Sequence, residues 1–160
     1  MTRQEIERYL RLLGQELEKR QLTGEIIIAG GAFMLLAIQN RETTKDIDAY
    51  FTAEPQAIRE AAQVIAAREG LPSDWLNDGI KGFFYHSPPV LRWAEFPGLR
   101  VYTVRSDYAF AMKAIAGRPG DIGDLRAHQT NWLHISQRGN SHCGAVCATA
   151  AADSANPIFD

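Results

Sequence analysis

The chain has 160 residues, of which 46% are hydrophobic and 22% are charged, a globular composition that excludes wholesale disorder. Its net charge of −2 argues against a dedicated binder of duplex DNA or of anionic membranes, because such proteins need a strongly cationic face. The two cysteines cannot hold the fold together, and the first residues lack an apolar signal core. We therefore expect a cytoplasmic protein without a membrane partner.

Hydrophobic periodicity and turn residues divide the first 135 residues into helices and strands. Thr2 and Glu5 form a capping-box pattern at the start of a helix, and three consecutive isoleucines at 26–28 predict a buried strand. Pro97-Gly98 between two strand-like runs predicts an antiparallel hairpin. In chain order, the predicted elements are a helix ending near Arg20, a strand over 25–29, a helix over 32–38, a strand over 46–51, a helix over 55–68, strands over 91–96 and 99–104, and helices over 106–116 and 122–135.

These elements predict one α/β (α+β) domain over residues 1–135, with a small mixed sheet flanked by helices and a helical C-terminal part. From residue 136 the composition shifts to Gly, Ala, Ser, Cys and Asn without periodicity. We therefore expect residues 136–160 to form a poorly ordered tail.

The most informative segment for chemistry is Asp46-Ile47-Asp48. Side chains at positions i and i+2 of a strand share a face, so Asp46 and Asp48 are expected to project together, with Cβ atoms about 7 Å apart. Two carboxylates this close repel each other unless a cation lies between them. Mg²⁺ suits them, because it takes oxygen ligands from one or two carboxylates plus substrate phosphates.

Gly30-Gly31 precedes the aspartate pair and lies at a predicted strand-to-helix turn. Glycine lets the backbone approach a ligand closely, and amides at a helix start favour an anion such as a triphosphate. Each feature alone has an ordinary structural explanation, since Gly-Gly is a common turn and Asp-x-Asp is common at solvated strand ends. Their order and spacing together favour a site for a polyphosphate and its cation.

This arrangement resembles the nucleotidyltransferase superfamily, whose fold is that of DNA polymerase beta. The resemblance rests on Gly30-Gly31, a helix, and then Thr44-Lys45-Asp46-Ile47-Asp48 with Arg41 upstream. It is closest to a small bacterial branch that includes AbiEii-type toxins, and it continues at Ala111-Met112-Lys113-Ala114 and Arg118-Pro119-Gly120-Asp121. It implies transfer of a nucleoside monophosphate from a nucleoside triphosphate to a hydroxyl acceptor, with tRNA or protein as the acceptor and an antitoxin as a partner.

The resemblance also implies a role for each matching residue. Asp46 and Asp48 hold the metal and are catalytic, while Lys113 counters phosphate charge and Asp121 completes the acid set. Gly30, Gly31, Thr44 and Arg118 contact the nucleotide. Lys113 could equally be an exposed helical lysine, and Asp121 could serve only the dipole of the last predicted helix.

One departure from the superfamily pattern concerns a third carboxylate, which many members carry on a later strand. The predicted strand over 99–104 has no acid. Glu95 lies on the preceding strand, but the sequence does not show on which face of the sheet its side chain stands. A second hypothesis is therefore a non-catalytic descendant that binds a nucleotide or a partner protein. A third hypothesis, a phosphatase, has less support, because Tyr50 stands where a phosphatase motif has Thr.

Overall fold

The computed structural model describes residues 1–39, 41–83 and 88–116. Within them, five strands form one mixed sheet with helices packed on it, so the predicted α/β class is confirmed. The elements are α1 (Arg3–Lys19), β1 (Gly24–Ile28), α2 (Gly30–Phe33), which continues as a π-helix over Met34–Ile38, β2 (Ile47–Ala53), α3 (Pro55–Glu69), β3 (Leu76–Asn77), a 3₁₀ helix (Gly79–Phe83), β4 (Val90–Phe96), β5 (Leu99–Val104) and α4 (Ser106–Ala116).

Helix α1 begins at the predicted capping box. The Thr2 amide donates to the Glu5 carboxylate at 2.8 Å, and the Thr2 hydroxyl accepts from the Glu5 amide at 3.3 Å. The bond from the Thr2 amide, together with one from the Thr2 hydroxyl to the same carboxylate at 3.2 Å, lowers the pKa of Glu5. An apolar stripe at helical spacing then turns one face of α1 into the core, and its fully buried members are Ile6, Leu10, Leu13 and Leu17.

Strand β1 lies in the middle of the sheet, whose order is β3-β2-β1-β5-β4. It pairs antiparallel with β2 and parallel with β5, and Ile26 and Ile28 are fully buried. Helices α1 and α3 pack together on the sheet. The buried Trp75 connects them, because its indole N–H donates to the Ala62 carbonyl at 3.0 Å and its ring meets Tyr9 edge-on at 5.7 Å.

The strand directions bring several chain segments to one edge of the sheet, which we call the site edge. Strands β1 and β5 are parallel and end there, at Ile28 and Val104. Strand β2 runs the opposite way and therefore begins there, as does β3, with Asp48 opposite Asn77. The turn at Gly30, the aspartates of 46–48 and the start of α4 consequently share the site edge.

The sequence-based boundaries agree closely with the structure, with a few differences. The predicted strand over 46–51 begins one residue later, so Asp46 stands just before β2. Strand β3 was not predicted, because two residues carry no periodicity. The predicted helix over 122–135 and the tail over 136–160 lie outside the described residues. Among the helices described, none has both the length and the apolar character needed to cross a membrane.

Gly14 marks a close backbone contact between α1 and the β4–β5 turn. A Cβ at Gly14 would overlap the Pro97 carbonyl oxygen and lie 3.2 Å from the Cβ of Leu99. We expect Gly14→Ala to destabilise the fold by about 1–3 kcal/mol through overpacking, although alanine has the better helix propensity. Urea unfolding measures the effect.

Gly82→Ala is the control for Gly14→Ala, because a Cβ at Gly82 meets nothing within 4 Å. We expect its free energy of unfolding to stay within about 0.5 kcal/mol of the parent. A Gly14→Ala protein more stable than the parent would show that helix propensity outweighs the contact and would contradict the packing described here.

Candidate functional site

The Asp48 carboxylate lies directly against the turn at Gly30. A Cβ on Gly30 would lie 2.5 Å from Asp48 Oδ2 and 3.2 Å from Asp48 Cβ, and the φ angle of Gly30 is +63°. Both the space and the backbone conformation therefore require glycine. The structure brings together one member of the predicted aspartate pair and the first predicted glycine.

The pairing of β1 with β2 produces this contact. Ile28 is opposite Ala49, and the Ala29 amide donates to the Asp48 carbonyl oxygen at 3.0 Å, one residue beyond the end of β1. Along β2, Ile47 and Ala49 are fully buried while Asp48 is half-buried. Asp46, also half-buried, stands one residue before β2, and the face that it is expected to share with Asp48 stays a prediction.

Gly31 is surrounded by polar groups from the segment between the π-helix and β2. A Cβ at Gly31 would lie 2.8 Å from Thr44 Oγ1 and 3.7 Å from Arg41 Nη1. The Thr44 hydroxyl donates to the Asp46 carbonyl oxygen at 3.1 Å, and the Thr44 amide donates to the Met1 carbonyl oxygen at 2.9 Å. These bonds hold the segment beside the glycine pair.

A cavity of about 470 Å³ opens next to this segment, between the start of α1 and the end of the π-helix. Arg3 and Gln4 line it from α1, and Leu35, Gln39 and Arg41 line it from the other side. Gln39 has a left-handed backbone, with φ +59°, which ends the π-helix and turns the chain back toward Gly31. Arg41 therefore borders both the glycine turn and an open cavity.

Glu95 lies far from the site edge, which the sequence alone did not show. It is opposite Arg100 on β5, three residues or about 10 Å along the strand from Thr103. Its carboxylate is exposed and forms ion pairs with Arg92 at 3.1 Å and with Arg100 at 3.7 Å. Glu95 therefore cannot serve as a third acid beside Asp48.

Asp107 is a further carboxylate that the fold places at the site edge, in the first turn of α4. The Arg105 guanidinium donates to both of its oxygens, and the Tyr108 amide donates to Oδ1 at 2.9 Å. The hydrogen bond from Arg105 lowers the pKa of Asp107. Throughout the described ranges, no group of three His, Cys, Asp or Glu side chains is arranged to hold a metal ion.

Of the remaining predicted site residues, one lies within the described part of the chain and two lie outside it. Lys113 is half-buried on α4, about 10 Å along the helix axis from Ser106 at the site edge. Arg118 and Asp121 lie outside the described residues. Arg41 counts among the residues that carry the resemblance, but the sequence assigned it no role in the site.

Comparison with known families decides the identity of the domain. Residues 5–134 match a family described as a nucleotidyltransferase of unknown function, DUF6036. The chain belongs to this family. No curated protein and no solved structure matches the chain significantly.

The match covers every predicted site residue of this nucleotidyltransferase-like domain, from Gly30 to Asp121. The predicted relation to nucleotidyltransferases is thereby confirmed at the level of the family. The closer resemblance to AbiEii-type toxins is not tested by this match and stays a prediction.

Replacing Gly30 tests the contact with Asp48. We expect Gly30→Ala to destabilise the domain by about 1–2 kcal/mol through its positive φ, and by at least about 1 kcal/mol more through crowding against Asp48. The Cβ of Asp48 cannot rotate away from the new methyl group. Urea unfolding of Gly30→Ala, Asp48→Ala and the double variant measures the coupling between the two positions.

Gly70→Ala is the matched control for Gly30→Ala. Gly70 ends α3 with φ +68°, and a Cβ there meets nothing within 4 Å. Its replacement therefore carries the backbone cost without a carboxylate contact. Equal destabilisation by the two substitutions, with no coupling between Gly30 and Asp48, would contradict the contact.

Proposed function

We propose that this domain is a Mg²⁺-dependent nucleotidyltransferase that moves a nucleoside monophosphate from a nucleoside triphosphate to a hydroxyl acceptor. The observation that carries the proposal is the Asp48 carboxylate against the Gly30 turn, in a chain that belongs to a nucleotidyltransferase family. The donor set fits the cation, because two carboxylates with substrate phosphates are a common Mg²⁺ environment.

In this proposal, Asp46 and Asp48 hold the cation, which when bound neutralises charge on the phosphates. Gly30 and Gly31 let the phosphate chain approach the backbone, and the Thr44 hydroxyl beside Gly31 would exchange its bond to the Asp46 carbonyl oxygen for one to a phosphate oxygen. Lys113 and Arg118 supply positive charge for the departing pyrophosphate.

The acceptor oxygen forms a bond to the α-phosphorus, and the bond from that phosphorus to the bridging oxygen of the β-phosphate breaks. Pyrophosphate leaves with that oxygen. The acceptor proton passes to a base, for which Asp121 is the candidate. The resemblance to AbiEii-type toxins favours tRNA or protein as the acceptor, with an antitoxin as partner.

Incubation of the purified protein with each of the four ribonucleoside triphosphates, Mg²⁺ and a cell extract tests the transfer. We expect label from α-³²P nucleotide to enter RNA or protein, and label from γ-³²P nucleotide to leave in pyrophosphate. Asp48→Asn keeps the shape of the side chain and removes its charge, so transfer should fall about 100-fold or more.

Glu95→Gln is the control for Asp48→Asn, because Glu95 is an exposed acid about 10 Å along the sheet from the site edge. We expect it to retain transfer within about twofold of the parent. Incorporation of γ-phosphate label into an acceptor would contradict nucleotidyl transfer and indicate phosphoryl transfer instead.

A second candidate function is binding of a nucleotide without transfer. It is favoured by one observation, that within the part of the chain the structure describes no group of three or more His, Cys, Asp or Glu side chains is arranged to hold a metal ion. This candidate predicts Mg²⁺-dependent triphosphate affinity that Asp48→Asn removes, without release of pyrophosphate in any extract. Calorimetry together with a pyrophosphate assay separates the two functions, since detectable release excludes the second.

A further inference from the structure

Arg41 is a cation beside the glycine turn to which neither the sequence analysis nor the family match assigns a role. Its Nη1 lies 3.7 Å from the position that a Cβ of Gly31 would occupy, on the same turn that Asp48 contacts at Gly30. Arg41 is exposed and lines the neighbouring cavity, so a ligand can reach it from solvent. We propose that Arg41 binds the phosphate chain of the nucleoside triphosphate.

The electrostatic arrangement supports this assignment. Asp48 brings negative charge to the turn, Asp46 precedes it by two residues, and a triphosphate adds more negative charge. A cation held by the carboxylates would compensate part of this charge, and Arg41 approaches the turn from the Gly31 side. Its planar guanidinium can donate two parallel hydrogen bonds to phosphate oxygens, which a lysine cannot reproduce.

The backbone around Arg41 holds it near the turn. Gln39, which ends the π-helix with a left-handed backbone, precedes Arg41 by two residues, and the Thr44 amide, three residues after it, donates to the Met1 carbonyl oxygen. Arg3 faces the same cavity from α1, where it pairs with Glu7 at 3.0 Å. Arg3 therefore offers the same charge in the same cavity without contact to the glycine turn.

This inference rests on the proposed triphosphate site. Its test is calorimetric titration of the full chain, in Mg²⁺, with inorganic tripolyphosphate and with each of the four ribonucleoside triphosphates. We expect Arg41→Ala to weaken binding of all five ligands by roughly 10- to 100-fold, because the lost contacts are to phosphate oxygens. Arg41→Lys should recover only part of the loss, and thermal unfolding should show that both variants are folded.

Arg3→Ala is the control, with an expected change in affinity of less than about twofold. Unchanged affinity in Arg41→Ala would overturn the assignment. An equal loss of affinity in Arg3→Ala would also overturn it, because the effect would then come from positive charge in the cavity and not from a contact between Arg41 and the phosphates. A loss confined to the nucleotides, with tripolyphosphate unaffected, would also overturn it, because Arg41 would then contact the base or ribose.

The same titrations distinguish failure of this inference from failure of the proposed function. If Asp48→Asn abolishes Mg²⁺-dependent binding while Arg41→Ala does not weaken it, the proposed site stands and Arg41 has no part in it. If none of the five ligands binds to the parent protein, the proposed triphosphate site is wrong, and so is the role proposed for Arg41.

Discussion

The pairing of β1 with β2 at the site edge is the constraint on which the candidate site depends. The Ala29 amide donates to the Asp48 carbonyl oxygen one residue beyond the end of β1, so the ladder continues up to the turn itself. Because strand side chains alternate, a shift of this register by one residue would send Asp48 to the other face of the sheet. Burial of Ile47 and Ala49 opposes that shift and fixes Asp48 beside Gly30.

The same pairing explains why the segment of 41–46 lies where it does. The chain leaves the π-helix at Gln39, turns back along the helix and must enter β2 at Ile47 in the register that the ladder requires. The Ile47 amide donates to the Trp75 carbonyl oxygen at 2.7 Å, and Trp75 is buried between α1 and α3. The entry to β2 is therefore anchored by the core, next to the polar groups around Gly31.

Most of the fold could be predicted from the sequence because its signals are local. A capping box starts α1, three consecutive isoleucines form β1, and Pro55 and Gly70 bound α3. Strand β3 could not be predicted, since two residues have no period and their pairing with Ile47 and Asp48 depends on the whole sheet. The parallel pairing of β1 with β5 is likewise a property of the assembled sheet, and periodicity gives no sign of it.

Less of the candidate site than of the fold could be predicted, because several of its contacts join segments that are distant along the chain or are connected by a loop. Asp46 and Asp48 stand two residues apart, so strand alternation predicts a shared face for them, and the glycine pair precedes them at a strand-to-helix turn that the sequence also predicts. The approach of Arg41 to Gly31 arises from a loop that folds back, and the distance of Glu95 from the site edge follows from its register with Arg100. Contacts of this kind depend on strand order and loop path, which a single sequence does not encode locally.

Asp48 has two separable properties at the turn, its volume and its charge. Its volume explains why Gly30 has no side chain, and that constraint would hold in a protein that binds nothing. Its charge is a separate property, and it is the one that a bound cation would require. Isosteric replacement by asparagine keeps the volume and removes the charge, so the effect of Asp48→Asn on ligand affinity measures the chemical contribution apart from packing.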